Sequence, residues 1–338
     1  MTILSMKNYV ILPTYKEAEN LKDLLPLLRT YKVIVVDDNS EDGTVNICGH
    51  FKNVKLITRK NERGLASAVL DGIKSIKDKD AKIVVMDADF QHDPKKLPEF
   101  FKKLDKNYFV YGIRKNSNMS VARKLISKSA SLIAKILVNG IKNINDPMSG
   151  YFGFRLAYVD LRKIQPKGYK IMLDIFANLK YKDKIAAVEY NFGERKAGKS
   201  KLGGTTIIEF ISQILKLNNY RILKFALVGF IGVFVNEFIA FLLHHFLPLY
   251  IVFTLSAESA IISNFILNHE FTFKKRVSFL IALPRYNAVA LLGLLINVVI
   301  ATYLSLSIEY LIANFIGIII AFIFNYTLSE KFAWSSYV

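Results

Sequence analysis

The stretch IVVMDADFQHDP, residues 83–94, runs from four consecutive apolar residues into a turn that carries two aspartates, Asp87 and Asp89. A short apolar run bounded by turn residues is typical of a buried β-strand. The same pattern recurs in YVILP, residues 9–13, and in KVIVVDD, residues 32–38, and each of these runs ends in or near acidic residues. These stretches predict buried strands with carboxylates at their ends.

Helical patterns separate the apolar runs along the first two-thirds of the chain. The predicted strands cover 9–13, 32–38, 54–58, 83–87 and 108–112, and the predicted helices cover 18–30, 43–51, 64–76 and 95–104. Strands that alternate with helices at this spacing indicate an α/β fold with an open, mostly parallel sheet. Ligands of such sheets bind outside the carboxyl ends of the strands, where the acids lie.

The acids at these strand ends suit a divalent cation such as Mg²⁺ or Mn²⁺. These ions prefer oxygen ligands, and magnesium is usually held by one or two carboxylates together with substrate phosphates. A single Asp-x-Asp can equally be a solvated turn or a helix N-cap, but acids at three strand ends favour a binding site. In such a turn one acid can contact the metal while the other orients a sugar or ribose, and Asp89 is expected to lie at a solvent-facing strand end.

The composition divides the chain into a basic part and an apolar part. Residues 222–338 contain six Lys and Arg and five Asp and Glu, so almost all of the net charge of +18 lies in residues 1–221. A basic soluble part next to a membrane part suggests anionic lipids or an anionic substrate. Nucleic acid is the competing partner, but no aromatic and basic recognition motif supports it. The single cysteine, Cys48, excludes a disulfide framework.

The last third is apolar enough to cross a membrane four times, since one spanning helix needs about 20 apolar residues. The predicted spanning helices cover about 222–245, 249–268, 286–306 and 310–330. Basic residues cluster in 274–285, whereas the turns at 246–249 and 306–309 carry no Lys or Arg. The positive-inside rule places the basic loop, both termini and the soluble part in the cytoplasm. The chain is therefore expected to be a multi-pass protein of the cell membrane.

An internal repeat lies within this apolar third. A shift of 61 residues aligns 225–273 with 286–334, with 12 of 49 positions identical, including the pairs Asn236/Asn297 and Asn264/Asn325. Each repeat is one helical hairpin, and both hairpins would enter the membrane from the same side, so the two repeats are parallel. The asparagines suit hydrogen bonds between helices, and a role with lipid headgroups is the alternative. Glu258 is expected to be functional or buried, because a charge that faces lipid is costly.

Several motifs in residues 9–202 resemble those of the family 2 glycosyltransferases of the GT-A fold. They are PTYKEAEN (13–20), VVDDNSEDGT (35–44), RGLASAV (63–69), VMDADFQHDP (85–94) and DPMSGYFGFR (146–155). ARKLIS (122–127) and ERKAGKSKL (194–202) make the chain similar to the dolichyl- and polyprenyl-phosphate sugar transferases, above all the dolichol-phosphate mannose synthases. Residues 222–338 resemble the GtrA-like family of four-helix membrane domains.

The resemblance implies a function and a set of partners. A sugar, mannose from GDP-mannose, would pass with inversion to dolichyl or polyprenyl phosphate, with Mg²⁺ or Mn²⁺ as cofactor. A UDP-glucose-dependent polyprenyl-phosphate glucosyltransferase is the alternative within the same class. A non-enzymatic transporter of lipid-linked sugar, with the GtrA-like part as the working part, is the alternative from another class. A processive polysaccharide synthase is disfavoured, because the Gln-x-x-Arg-Trp motif is absent and the only Trp is Trp334.

The resemblance also implies roles for individual residues, with Asp87, Asp89, Arg114 and Arg123 as the catalytic ones. Asp89 and Gln91 would hold the metal, and Arg114, Arg123 and Ser127 would hold the acceptor phosphate. The residues implied in binding the nucleotide sugar are Pro13, Tyr15, Glu17, Val36, Asp37, Asp38, Asp87, Ala88, Asp89, Gln91, Arg114, Arg195 and Lys201. Among them, Asp37 would help to hold its turn.

These assignments predict three parts of the chain. Residues 1–204 form the GT-A domain, 205–221 an amphipathic interfacial helix, and 222–338 the GtrA-like transmembrane domain. In the linking helix, Ile207, Ile208, Ile211, Ile214 and Leu215 lie along one stripe, with Glu209, Gln213 and Lys216 elsewhere. Such a helix can lie at the membrane interface or pack on the soluble domain.

Overall fold

The computed structural model describes residues 7–115, 121–138, 140–164, 170–193, 204–274 and 277–335, with the backbone alone for 121–123 and 204–206. The chain forms two compact units, Met1–Leu217 and Asn218–Val338. The first unit is built on a β-sheet, and the described part of the second consists of helices and their connections.

A seven-stranded sheet forms the centre of the first unit. Its strands are β1 Asn8–Thr14, β2 Lys32–Asp37, β3 Val54–Thr58, β4 Lys82–Val85, β5 Phe109–Lys115, β6 Phe152–Arg155 and β7 Ile185–Asn191. They lie in the order β3-β2-β1-β4-β6-β5-β7, and of these strands β6 alone runs antiparallel to its neighbours. The predicted α/β class with a mostly parallel sheet is confirmed.

Strands β6 and β7 were not predicted from the apolar pattern. β6 is four residues long and contains Gly153, which weakens its signal as a strand. The glycine is needed because β6 pairs closely with β4, and a Cβ at this position would lie 2.9 Å from the backbone oxygen of Ile83. β7 lies at the edge of the sheet, where several of its side chains are partly buried or exposed.

The first unit also contains helices connected to this sheet. They are α1 Ala18–Leu24, α2 Thr44–Gly49, α3 Leu65–Lys74, α4 Leu97–Leu104, α5 Val121–Leu137, α6 Ile171–Ala177 and α7 Gly204–Leu217. The helix predicted over 18–30 is shorter than expected, because Pro26 lies in the first turn of a 3₁₀ segment, Leu25–Leu28. A second 3₁₀ segment, Pro94–Lys96, precedes α4, where Pro98 occupies the first turn.

Helix α7 belongs to the first unit and differs in detail from the predicted stripe. Gln213 and Ile214 are buried, whereas Ile207 and Ile208 are 52% and 71% exposed. Gln213 was expected to lie away from the buried face. It is buried because its carboxamide pairs with both backbone groups of Lys170 and donates to the carboxylate of Asp174. The helix is thus anchored by a polar contact and leaves isoleucines exposed.

The described residues of the second unit include four helices long and apolar enough to cross a membrane, as predicted. They are α8 Arg221–Leu243, α9 Leu249–Leu267, α10 Phe279–Leu304 and α11 Tyr310–Leu328. The third begins seven residues before the predicted start at 286, and it includes Pro284 and Arg285. The positive charge of the preceding loop suggested a later start, but one cation near a helix end does not terminate a helix.

The internal repeat is visible in the structure as well as in the sequence. Helices α9 and α11 both continue into a π-helical segment, Asn268–Thr272 and Ser329–Ala333, which are again 61 residues apart. Gly232 and Gly293 pack directly against the carboxamides of Asn264 and Asn325, in the same arrangement in each repeat. The shared periodicity therefore reflects two copies of one helical hairpin.

Two glutamates of the second unit differ in their burial. Glu258, which was expected to be functional or buried, is exposed on the surface of this unit. Glu330 is buried and forms an ion pair with Arg221, near the start of α8. Because a buried charge needs a partner, this pair explains how both residues are accommodated beside apolar helices.

Candidate active site

The acidic turn after β4 lies at the carboxyl edge of the sheet. Phe90 has a left-handed backbone (φ 63°), and the turn lets the amide of Gln91 donate to Oδ1 of Asp89 at 3.1 Å. Asp89 is only 3% exposed, which corrects the expectation that it lies at a solvent-facing strand end. The side chain of Asp87 is 37% exposed and is the more accessible carboxylate.

His92 lies beneath this turn as a structural residue. Its Nδ1 accepts the backbone N–H of Asp87 at 2.9 Å, and its ring stacks on Tyr151 with 5.0 Å between the centroids. Burial lowers the pKa of His92, so the imidazole is neutral at pH 7. A Cβ at Gly150 would lie 3.1 Å from this ring, so the glycine allows the 146–155 segment to approach the turn.

A guanidinium group lies across the site from the aspartates. Arg114, near the end of β5, donates through Nε and a terminal nitrogen to the two oxygens of Asp146, at 2.7 and 2.8 Å. The hydroxyl of Ser127 lies 3.5 Å from the same terminal nitrogen. A planar guanidinium held in this way is suited to a phosphate. Asp146 was not assigned a role from the sequence, although it opens the DPMSG motif.

Lys170 is a second residue of the site that the sequence pattern did not indicate. Its ammonium donates to the backbone oxygen of Met148 at 2.9 Å. Burial, and to a smaller extent Arg114, lowers the pKa of Lys170 to about 8, while Asp87 and Asp146 act in the opposite direction. The only local signal was a lysine directly before an apolar helix, which does not identify a site.

Charged groups of both signs act on the buried His92, although burial has the largest effect on its pKa. Asp87 and Asp89 raise this pKa, and Arg114 and Lys170 lower it. A carboxylate oxygen of Asp87 lies 3.8 Å from Nδ1 of this imidazole. Such a site can hold an anionic ligand together with a cation.

Three predicted donor-site residues lie half-buried at the end of β1 and just beyond it: Pro13, Tyr15 and Glu17. The guanidinium of Arg63 lies over the ring of Tyr15, 4.6 Å from its centroid. Glu17 accepts a hydrogen bond from Asn20 at 2.5 Å. The tyrosine and its cation form a surface on which an aromatic base can stack.

Two predicted contacts with the donor are not possible through side chains. Val36 is 0% exposed and Ala88 is 2% exposed. Val36 lies in the core because β2 is an interior strand, and Ala88 lies between two turn aspartates with its methyl group in the core. Neither residue therefore presents a side chain to a ligand.

The aspartates at the end of β2 are held by the protein itself. Asp37 accepts hydrogen bonds from the hydroxyl of Thr14 at 3.2 Å and from the amide of Ser40 at 2.9 Å. Asp38 accepts from Nε of Arg59 at 2.7 Å and from the amide of Gly64 at 2.9 Å. Both carboxylates thus fix the shape of the edge, and Asp38 ties the 63–69 motif to the strand. Arg59 was not singled out from the sequence.

Three of the predicted basic residues have no described side chain. Arg195 and Lys201 lie outside the described residues, and Arg123 lies in α5 without a described side chain. Their roles stay predictions.

The donor set of the acidic turn fits a magnesium-type ion. Asp87, Asp89 and Gln91 offer two carboxylates and one amide within a single turn. In the part of the chain that the structure describes, no group of three or more His, Cys, Asp or Glu side chains could hold a metal. One or two carboxylates completed by substrate phosphates is the usual arrangement for magnesium, so this sparse set suits an ion that arrives with a diphosphate.

Comparison with known proteins assigns both units. Residues 9–161 match the glycosyl transferase family 2, and residues 224–334 match the GtrA/DPMS transmembrane domain. The chain is 36% identical to a dolichol-phosphate mannosyltransferase of Pyrococcus furiosus, over 98% of this chain and 100% of that protein.

Shorter relatives match the first part of the chain. A dolichol-phosphate mannosyltransferase of Saccharomyces cerevisiae is 34% identical over 64% of this chain and 89% of its own length. An undecaprenyl-phosphate mannosyltransferase of Micrococcus luteus is 31% identical over 62% of this chain and 93% of its own length. The motifs, the sheet and these relatives agree, and the chain belongs to the family 2 glycosyltransferases, as a membrane-bound member that carries a GtrA/DPMS transmembrane domain.

Proposed function

We propose that this chain transfers mannose from GDP-mannose to the phosphate of dolichol or another polyprenol, with inversion at the anomeric carbon. The observation that carries the proposal is the pairing, in one site, of the acidic turn of Asp87 and Asp89 with the Arg114–Asp146 pair beside Ser127. The turn suits a metal-bound diphosphate, and the guanidinium suits a second phosphate. The names of the mannosyltransferase relatives support the sugar and the lipid acceptor.

In the proposed reaction, a phosphate oxygen of the lipid attacks the anomeric carbon of mannose from the face opposite the diphosphate. A new carbon–oxygen bond forms while the bond from that carbon to the diphosphate oxygen breaks, and GDP leaves with the bonding electrons. The attacking oxygen is already anionic at neutral pH, so the step needs no strong general base. A buried neutral His92, whose Nδ1 is engaged by the Asp87 amide, fits this requirement.

The side chains of the site have distinct tasks in this proposal. Arg114, oriented by Asp146, positions the acceptor phosphate together with Ser127 and Arg123. Lys170 adds positive charge between the two anionic groups. A Mg²⁺ or Mn²⁺ ion held by Asp89 and Gln91, with Asp87 beside them, would stabilise the charge that develops on the diphosphate.

We assign the remaining residues from the motif resemblance. Arg195 and Lys201 reach the donor diphosphate, and Tyr15 and Glu17 flank the base and ribose. The first unit and both termini face the cytoplasm, which the basic residues of 274–285 support.

This orientation is testable because Cys48 is the only cysteine and is buried. In a Cys48→Ser background, a membrane-impermeant maleimide added to intact cells should label Ser307→Cys but not Ser278→Cys. Both serines are exposed and lie at opposite ends of α10. Labelling of Ser278→Cys alone would invert the proposed topology.

A donor panel tests the reaction itself. The full protein in membranes that contain polyprenyl phosphate is supplied with labelled GDP-mannose or UDP-glucose, and label in the lipid fraction is measured. We expect label from GDP-mannose, in a lipid whose anomeric configuration is opposite to that of the donor. Label from UDP-glucose alone identifies the glucosyltransferase alternative. No label from either donor, together with movement of preformed glycolipid across vesicles, supports the transporter.

A further inference from the structure

Helix α7 contacts the start of α6 through one buried amide. Gln213 of α7 and Asp174 of α6 are 2% and 5% exposed. The carboxamide oxygen of Gln213 accepts the backbone N–H of Lys170 at 3.3 Å, and its nitrogen donates to the backbone oxygen of Lys170 at 2.9 Å. The same nitrogen donates to the carboxylate of Asp174. Each side of the amide therefore has its partner, and these partners fix which side carries the nitrogen.

These contacts hold Lys170 by its backbone. Lys170 directly precedes α6, and its own backbone is not helical (φ −116°, ψ 71°). Backbone N–H groups at the start of a helix have no carbonyl of that helix to pair with, so they need partners from elsewhere. Gln213 supplies such a partner and also engages the carbonyl of the same residue. Because two hydrogen bonds to one residue restrict its position and its rotation, α7 determines where the side chain of Lys170 begins.

The side chain of Lys170 leads from this contact into the active site. Its ammonium donates to the backbone oxygen of Met148 at 2.9 Å. Met148 lies two residues after Asp146, which holds the guanidinium of Arg114 at 2.7 and 2.8 Å. The amide of Gln213 therefore connects to the site through Lys170.

The opposite side of α7 faces away from this contact. Ile211 is 49% exposed and lies two residues before Gln213, which corresponds to about 200° around an α-helix. Ile207 and Ile208 are exposed as well. One helix thus presents isoleucines on its outer side and a buried amide to Lys170. A displacement of α7 would therefore move the two hydrogen bonds that hold Lys170.

An anchor for α7 alone would not require an amide. Ile214, the next residue, is 1% exposed and anchors the helix by apolar packing. A second apolar side chain at position 213 would serve in the same way, whereas burial of an amide is favourable only when its hydrogen bonds to water are replaced. The amide is explained if its task is to hold Lys170.

We propose that Gln213 is a positioning residue for Lys170, through which the seating of α7 determines where the Lys170 ammonium lies in the active site. Gln213 touches no substrate in this proposal, and Asp174 keeps the amide turned toward Lys170. The effect on catalysis rests on the proposed function, in which Lys170 lies between two anionic groups. The environment of the ammonium can be measured without any reaction.

The first measurement determines the pKa of the Lys170 amine in the full protein, purified in detergent and free of substrates. Trace labelling with acetic anhydride from about pH 7 to pH 10 is followed by peptide mass spectrometry, with the exposed Lys95 as internal reference. We expect a pKa of about 8 in the unchanged protein. In Gln213→Leu the pKa should rise above about 9, toward the ordinary lysine value, because the ammonium leaves its buried place beside Met148. Gln213→Asn, whose amide is one methylene too short to reach both backbone groups, should change the pKa in the same direction.

The second measurement is a double-mutant cycle with Lys170→Met, measured as kcat/KM for transfer to polyprenyl phosphate at pH 7. Gln213→Leu alone should lower kcat/KM by about tenfold. Because Gln213 acts through Lys170, the double variant should lie within about twofold of Lys170→Met alone. The matched control is Ile214→Ala, which weakens the packing of α7 beside Gln213 and leaves the amide in place. It should lower the midpoint of thermal unfolding without changing the pKa of Lys170 or kcat/KM.

Thermal unfolding establishes that each variant is folded, and Gln213→Asn carries the test if Gln213→Leu does not fold. An unchanged pKa of Lys170 in the folded variants overturns the proposal. Losses that multiply in the double variant also overturn it. If Ile214→Ala raises the pKa of Lys170 as much as Gln213→Leu does, Gln213 is a packing anchor only. If the pKa rises as expected but Lys170→Met has normal kcat/KM, the positioning role of Gln213 stands and the assignment of Lys170 to the reaction fails.

Discussion

Among single residues, the two aspartates of the acidic turn differ in their surroundings. Asp89 is buried and accepts the Gln91 amide, whereas Asp87 is partly exposed. Asp89→Asn and Asp87→Asn should each reduce kcat by about 100-fold or more, since a lost group that stabilises developing charge typically has this effect. The measurement is transfer of labelled mannose to polyprenyl phosphate over a range of Mg²⁺ or Mn²⁺ concentrations.

The control for this prediction is Asp105→Asn, which changes an exposed acid paired with Lys82. It should retain the transfer rate of the unchanged protein. Asp89→Asn with near-normal turnover, or full activity after chelation of divalent ions, would contradict the assignment of the turn.

The Arg114–Asp146 pair is mostly buried, with side chains 15% and 14% exposed. Asp146→Asn leaves the guanidinium without its counter-ion and should lower the free energy of unfolding by about 3 kcal/mol. Arg114→Lys keeps the charge but loses the bidentate geometry, so it should raise KM for the lipid phosphate more than KM for the donor. Denaturant unfolding and steady-state kinetics measure the two effects, and an equal rise in both KM values would place Arg114 at the donor.

Lys170 should make the reaction sensitive to alkaline pH. Because burial lowers its pKa to about 8, the ammonium is mostly protonated at pH 7 and loses its charge as the pH rises through about 8. Binding of anionic substrates should weaken in that window, so kcat/KM should fall between about pH 7 and pH 9. In Lys170→Met, kcat/KM should be low throughout and this fall should disappear. If kcat/KM of Lys170→Met still falls between about pH 7 and pH 9, another group causes the pH dependence.

Among the elements, α5 and α7 pack against each other and expose apolar side chains. Leu125 and Leu132 of α5 are 66% and 60% exposed, and Ile207, Ile208 and Ile211 of α7 are about half exposed or more. With the exposed Lys124 and Lys128 nearby, this surface suits the interface of an anionic membrane.

This surface predicts that residues 1–217 alone bind vesicles. Binding to vesicles with anionic lipids should be salt-sensitive, and the triple change Ile207→Ser, Ile208→Ser, Ile211→Ser should weaken it at least tenfold. Burial of an isoleucine is worth about 1.5–3 kcal/mol, and tenfold corresponds to about 1.4 kcal/mol. Val45→Ser is the control, because Val45 is an exposed apolar residue on α2. Binding is measured by vesicle sedimentation. If Val45→Ser weakens vesicle binding as much as the triple change does, the role of α7 is contradicted.

At the scale of the whole chain, we expect the chemistry to be separable from the membrane part. Every residue of the proposed reaction lies in the first unit, and none of the four spanning helices carries one. A protein that ends at Leu217 should bind nucleotide sugar and transfer mannose to detergent-dispersed polyprenyl phosphate. Its efficiency on bilayer-embedded acceptor should fall, because anchoring raises the effective concentration of enzyme at the lipid.

The comparison uses the full chain and the 1–217 protein with both forms of acceptor, and donor binding is measured by calorimetry. A folded 1–217 protein that binds donor but transfers nothing to dispersed lipid would show that the membrane helices build part of the acceptor site. Asn264 and Asn325 would then be the first residues to change.

The sequence was sufficient for the fold class, the four spanning helices, the repeat and the acidic turn. Apolar periodicity and length identify strands and helices because the pattern follows from which face each element buries. The acidic turn was recognised because Asp87 and Asp89 directly follow an apolar run. These features are local in the chain, and 61-residue self-similarity is visible without any coordinates.

Contacts between residues that lie far apart in the sequence could not be predicted from local sequence patterns. Arg114 pairs with Asp146, and Lys170 pairs with the buried Gln213. In both pairs the two residues lie more than 30 positions apart in the sequence. The burial of Val36, Ala88 and Asp89 depends on what packs over each strand end. The packing of Asn264 against Gly232 and of Asn325 against Gly293 depends on which faces of the helices meet. Burial and pairing arise only when distant segments come together, because the free energy of a polar group is set by its neighbours in space.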